Sequence, residues 1–427
     1  MVLTAEGAVA DPRPGLAAAA AVRASLAALE QEGREDAAAC CAALWRLHRC
    51  AEDERLGVRA GLSSAGPGGG VAGAAVLAAC EALSLWRDDY EVCWAACELL
   101  AELLRCCEQG RALAMSCGAA GRLADALAAH HGSARRRRAG MEARGDGRPF
   151  PQVALGGCRA LHALLRQHRD GGQSAAHVAA HGGAEAVVAA LRTAALMEEE
   201  VAAMALGALV EMLPVDAVDL DGSGDNAAVA RGAVLEAGAV AACVSAMRGL
   251  ARSVEVSAAG IRLLGTLATM GSAEEREAAA VSIVQAGGAE AIAMALLAHP
   301  RTNEADGRPS GTHYFGCWAL FSLAEEDGAG RAGRVLARQS VGRVLTAEGR
   351  LSGVREEIQA LAEKHAANRA LAAWSAALLD VAAEASGQGG RAGGSRGSAA
   401  RGPEPEMAYQ TVSFGGTTGT FWMTGRD

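Results

Sequence analysis

The chain has 427 residues and a formal net charge of −9, and although 51% of it is apolar only 3% is aromatic. It carries 103 alanines and 54 glycines, with Lys364 the single lysine among 40 basic residues. So small a stock of bulky side chains excludes a wide globular interior and suits closely stacked helices, while the negative charge argues against a nucleic-acid binder that neutralises phosphates.

Residues 1–15 hold Glu6, Asp11, Pro12 and Pro14 before the first apolar run, which is not a secretory pattern, and they are predicted to be disordered. The uncharged stretch 62–80 is broken by Pro67 and several glycines. No segment offers the roughly 20 apolar residues of a membrane span. The cysteines lie inside alanine-rich helical patterns and form no CxxC. They read as reduced thiols packed as small hydrophobes, which places the protein in the cytoplasm or nucleus.

Residues 16–385 repeat one pattern. A small or apolar residue is followed by apolar residues three and six positions later, in Cys41/Leu44/Leu47, Cys97/Leu100/Leu103, Cys158/Leu161/Leu164 and Ala203/Leu206/Leu209. It continues in Ile261/Leu264/Leu267, Cys317/Leu320/Leu323 and, more weakly, Ser375/Leu378/Val381. This spacing puts the three residues on one helix face, which must be buried. Between these windows lie short apolar stretches ended by glycine, at 114–121, 177–183, 234–239 and 283–288. Each reads as a short helix with a left-handed glycine cap, and a fresh apolar helix follows at once. The predicted unit is therefore short helix, glycine turn, middle helix, loop, long helix, about six to seven times over. The first residues of successive windows are 45 to 61 positions apart. Insertion loops at 133–150, 214–226 and 300–311, rich in Gly, Asp, Arg and Pro, account for part of that length at little entropic cost. A globular helical bundle is the alternative fold.

Beyond this domain, 386–406 reads as a flexible Gly/Ser/Arg linker. Residues 407–427 bring Tyr409, Val412, Phe414, Phe421 and Trp422 around Gly415-Gly416, a C-terminal tail or a small hairpin. An isolated two-stranded hairpin is marginal in water, which favours the tail.

Chemistry is sparse. Asp219, Asp221, Ser223 and Asp225 with Gly224 resemble the front half of a calcium loop, but the twelfth position is Ala230 rather than a bidentate glutamate, so the segment reads as a solvated acidic loop. His177 and His181 are four apart without the glutamate of a zinc motif or a third ligand. Arg135–Arg138 is a basic run inside an insertion, read as solvated, with a localisation signal as the other reading. No nucleophile elbow, phosphate-binding loop or kinase set is present, so no enzyme activity and no cofactor are expected.

The glycine turns followed by apolar helices, with 316–323 (Gly-Cys-Trp-Ala-Leu-Phe-Ser-Leu) the clearest copy, resemble the armadillo repeat. The resemblance implies an all-α, right-handed α-solenoid of armadillo/HEAT-like form, whose concave face, lined by the long helices, binds an extended peptide or partner protein. On that reading the groove positions flanking each central leucine are Arg46, Glu98, Glu102, Arg159, Arg262, Trp318 and Ser322. Import receptors of this type carry Trp and Asn there. Here one Trp remains and no Asn, so import-receptor function is unsupported. A mixed-charge groove is expected instead, acidic near Glu98 and Glu102 and basic near Arg159 and Arg262. The expected role is a monomeric, non-catalytic scaffold or adaptor for a protein or peptide partner. A calcium- or metal-responsive adaptor using 219–225 and an enzyme with an unrecognised cysteine site are the alternatives.

Overall fold

A computed structural model describes residues 13–52, 70–106, 108–138, 151–166, 172–194, 198–213, 224–299, 309–325, 331–387, 409–414 and 417–422. Among the described residues the first helices come in pairs, α1 (Arg13–Gln31) with α2 (Ala37–Glu52), then α3 (Gly70–Leu85) with α4 (Tyr90–Cys106). After them the helices come in threes. These are α5 (Glu108–Ser116), α6 (Ala119–Arg138) and α7 (Pro151–Leu165), then α8 (Gln173–Ala180), α9 (Gly183–Ala194) and α10 (Glu199–Glu211). Next are α11 (Gly224–Glu236), α12 (Ala239–Gly249) and α13 (Val254–Thr269), followed by α14 (Ala273–Gln285), α15 (Gly288–Ala298) and α16 (Gly311–Ala324). The last group is α17 (Ala332–Leu345), α18 (Val354–Lys364) and α19 (Arg369–Ala385), with a 3₁₀ turn at Gly349–Leu351.

The short and middle helix of every group of three meet at a glycine in the left-handed region: Gly118, Gly182, Gly238, Gly287 and Gly353, with φ between 75° and 99°. A side chain is strained there, which is why the turn is spelled with glycine each time. Where the glycine is doubled, the second has a different task. A Cβ on Gly288 would come within 2.5 Å of the Ile283 side chain, so the middle helix can fold back closely only without one. Helix starts are fixed by Ser253, Ser272, Ser310 and Asn368, whose side-chain oxygens accept an otherwise orphaned backbone N–H.

The chain divides into two compact units, Met1–Ala239 and Val240–Asp427. In the first unit, α2, α4, α7 and α10 pack on one another in succession, α6 packs on α9, and α8 on α11. In the second, α13, α16 and α19 pack in succession, α14 on α17, and α15 on α18. Within each unit, a helix of a given class rests on the same class in the next group. That is the packing of stacked repeats, not of a bundle around one centre. The leucine seam is the glue. Leu44, Leu100, Leu161 and Leu206 in the first unit, and Leu264, Leu320 and Leu378 in the second, are fully buried. Cys41 and Ala203, the first residues of their windows, are only half-buried.

Several boundaries differ from expectation. The helix α1 begins at Arg13, inside the segment predicted to be disordered. Residues 133–138, predicted as loop, continue α6, because arginine and alanine sustain a helix already nucleated. Residues 224–226 are wound into α11, and Gly311 opens α16. The remainder of the three insertions (139–150, 214–223, 300–308), residues 1–12, residues 388–406 of the linker and residues 407–408 of the tail lie outside the described residues. At the C-terminus, β1 (Tyr409–Phe414) pairs antiparallel with β2 (Thr417–Trp422), Tyr409 opposite Trp422 and Phe414 opposite Thr417.

Candidate functional site

On α4, the inward face is taken up by Val92, Cys93, Cys97, Leu100 and Leu104, all buried. Trp94, Glu98, Glu102 and Arg105 follow at spacings of four, four and three, so they line the opposite side and stay partly or fully exposed. The stacked long helices of the first unit place other groups beside this stripe.

Arg159, on α7, has Nη1 3.5 Å from Glu98 Oε2 on α4, and its Nη2 is hydrogen-bonded to Glu200 on α10. One arginine thus bridges carboxylates from the helices before and after it. Gly156 makes the approach possible: a Cβ there would lie 3.1 Å from Cys97 Cβ and 3.2 Å from Glu98 Oε1. Glu102 pairs instead with Arg105 on its own helix, at 2.7 Å. The expected division into acidic and basic zones therefore needs correction. Glu98 and Arg159 neutralise each other in a single ladder.

Next to the ladder is an aromatic cluster that leucine-centred spacing does not mark. Trp45 on α2 meets Trp94 edge-on with ring centroids 4.9 Å apart, and Tyr90 lies 6.4 Å from Trp94 and 5.7 Å from His130 on α6. The Tyr90 hydroxyl is hydrogen-bonded to Gln152 on α7. The only available signal was that scarce aromatics fall at 45, 90 and 94, beside the windows at 41 and 97. Arg46 is exposed on α2 and donates back to the Ala42 carbonyl at 3.2 Å.

The remaining predicted groove residues lie in the second unit. Arg262 is half-buried on α13. Trp318 is half-buried on α16, its ring seated where Gly265 has no side chain and 6.2 Å from the Phe315 ring. Ser322 does not belong to an accessible face. It is 2% exposed and its hydroxyl donates to the Trp318 carbonyl at 2.8 Å, because position 322 turns inward with the leucine seam.

Asp219, Asp221 and Ser223 lie outside the described residues, while Asp225 falls in the first turn of α11. With 224–230 helical, the backbone there cannot follow a calcium loop. His177 and His181 stack with centroids 4.2 Å apart, and His181 Nδ1 is 2.8 Å from the His177 carbonyl oxygen. Among the described residues no group of three or more His, Cys, Asp or Glu is placed to hold a metal ion.

A set of arginine clasps also went unread in the sequence. Buried Arg111 on α5 donates to the Leu104 carbonyl at the end of α4, and buried Arg334 on α17 donates to the Ser322 and Ala268 carbonyls near the ends of α16 and α13. Arg192 and Arg248, in the last turns of α9 and α12, reach the next glycine turns at Ala237 and Gly287. The signal available was the Gly-Arg pair at 110–111 and 333–334.

No protein-family model and no curated protein matches the chain. Among solved structures it is similar to an engineered protein from the Northeast Structural Genomics Consortium, with TM-score 0.43 and 20% identity over 68% of this chain and 97% of that one. It is also similar to a chain from a study of a phosphorylation switch controlling the interaction between cadherin and beta-catenin, with TM-score 0.35 and 15% identity over 87% of this chain and 80% of that one. The interaction described there belongs to that protein.

Proposed function

We propose that the chain is a non-catalytic interaction scaffold, an armadillo-type right-handed solenoid of six to seven repeats whose long-helix face receives an extended polypeptide. The observation that carries this reading is the Glu98–Arg159–Glu200 ladder across α4, α7 and α10, with Trp45 and Trp94 beside it. Packed helices lie about 8–10 Å apart and an extended chain advances about 3.4 Å per residue, so such a face meets a peptide at roughly every third residue. Charged and aromatic groups held in register by their neighbours suit that kind of contact, because little side-chain freedom remains to be lost on binding. The inward thiols support the non-catalytic part. Burial pushes Cys158 and Cys317 up to about 12, leaving little thiolate at neutral pH.

The test separates binding from folding. Partners identified by proximity labelling would be assayed against E98R, R159E and the exchanged pair E98R/R159E. The exchange restores the 98–159 ion pair with reversed polarity but sets a carboxylate at 159 against Glu200, so circular dichroism checks that the helices persist. Full affinity in the exchanged variant would remove this face from consideration, whereas a folded exchanged variant at least tenfold weaker in binding supports it.

A further inference from the structure

Cys80, on α3, is fully buried, while Cys117, in the turn between α5 and α6, is half-exposed. Their sulfurs are 3.4 Å apart. The surroundings of the two differ in a useful way. Arg122, one turn into α6, lies beside both sulfurs, and the first backbone N–H of α6, from Ala119, faces Cys117. The contact between the two sulfurs, together with these positive groups, draws the Cys117 thiol down, while the same contact and burial hold Cys80 up. Cys158 and Cys317 have no such positive neighbours and no route to solvent.

We propose that Cys80 and Cys117 form an oxidation site for hydroperoxides that closes as a disulfide between α3 and the α5–α6 turn. Cys117 supplies the accessible nucleophile. Its thiolate takes the distal oxygen of hydrogen peroxide, the O–O bond breaks, and the departing hydroxide is protonated to water. The product is a sulfenic acid on Cys117. The sulfur of Cys80 then attacks that sulfur; the S–S bond forms, the S–O bond breaks, and hydroxide leaves with the proton of Cys80 as a second water. Two thiols are oxidised and one peroxide is reduced to two waters. Closing from 3.4 Å to the roughly 2.0 Å of a disulfide needs about 1.4 Å of movement. The bond would tie the second helix pair to the first group of three.

The experiment treats the folded full-length chain with hydrogen peroxide, blocks free thiols and maps the digest by mass spectrometry. The expected result is a peptide pair linked through Cys80 and Cys117, two hydrogens lighter than the reduced peptides and separated by dithiothreitol. In C80A, Cys117 should stop at a sulfenic acid that dimedone traps; in C117S, Cys80 should remain a thiol. Circular dichroism confirms that both variants keep their helices. Peroxide leaving Cys117 as easily alkylated as before, or oxidising it in the wild type while Cys80 stays a free thiol, would overturn the proposal.

Discussion

Arg334 Nη2 lies 2.9 Å from the carbonyl oxygen of Ala268, joining the short helix of the last group to the end of a long helix two groups earlier. The same guanidinium gives Nη1 to the Ser322 carbonyl at 2.8 Å. Two helix C-termini are thus satisfied by one positive charge, which also opposes their dipoles. Arg334→Met leaves both carbonyls unpaired and should cost about 3 kcal/mol, given about 1.5–3 for a hydrogen bond to a charged group. Arg334→Lys should recover less than half, since an ammonium cannot reproduce the fork. Urea unfolding followed by circular dichroism measures both.

The absent side chain at Gly265 sets the position of Trp318. An added Cβ would approach the indole ring to 2.5 Å, so Gly265→Ala forces the ring to move. The helix itself gains up to about 1 kcal/mol from alanine, against about 1–3 kcal/mol for overpacking. A net loss is expected with Trp318 in place, and a net gain in the Trp318→Ala background. A double-mutant cycle with indole fluorescence reads both.

The two arms of the Arg159 ladder should differ in worth. The Glu98 side chain is 14% exposed and that of Glu200 is 60% exposed. Glu200→Ala should therefore change stability by less than about 1 kcal/mol and lose its effect in high salt. Arg159→Ala should cost more, because it strands the better-buried Glu98 carboxylate. Thermal midpoints at low and high salt check the order.

At the start of α14, Ser272 Oγ accepts from Glu275 N while Glu275 Oε2 accepts from Ser272 N, a reciprocal cap. Ser272→Ala should cost about 1 kcal/mol and Ser272→Gly only a few tenths. The same urea transition distinguishes them.

Acid should weaken the fold through its histidines. Burial lowers the His299 imidazole, opposed in part by Glu255, and burial also lowers His177 and His365, helped by His181 and Lys364. Each therefore binds fewer protons folded than unfolded, so stability falls as pH drops. The contribution is complete above the unfolded value of about 6.5, declines through it, and levels off below the lowered folded values. His299 is 8% exposed with Nε2 2.9 Å from Ser257 Oγ, so His299→Asn should flatten part of the decline. Thermal midpoints between about pH 7.5 and 5 would show it. An unchanged slope would remove His299 as a source.

What the amino-acid order determined by itself was the local grammar. Glycine at 118, 182, 238 and 287 and leucine at 44, 100, 161, 206, 264 and 320 announce their roles through helix periodicity and the left-handed cap, which depend on neighbours a few residues away. Tertiary structure alone decided which faces meet. Ser322 reads as a groove position by its distance from Leu320, yet the rotation of α16 turns it inward. Arg159 reads as the basic part of a mixed-charge groove, yet its partners are 61 and 41 residues away. Cys80 and Cys117, and Arg334 and Ala268, come together for the same reason: long-range contacts follow from how each helix is rotated against the next, a property of the packed stack that no single window of sequence contains.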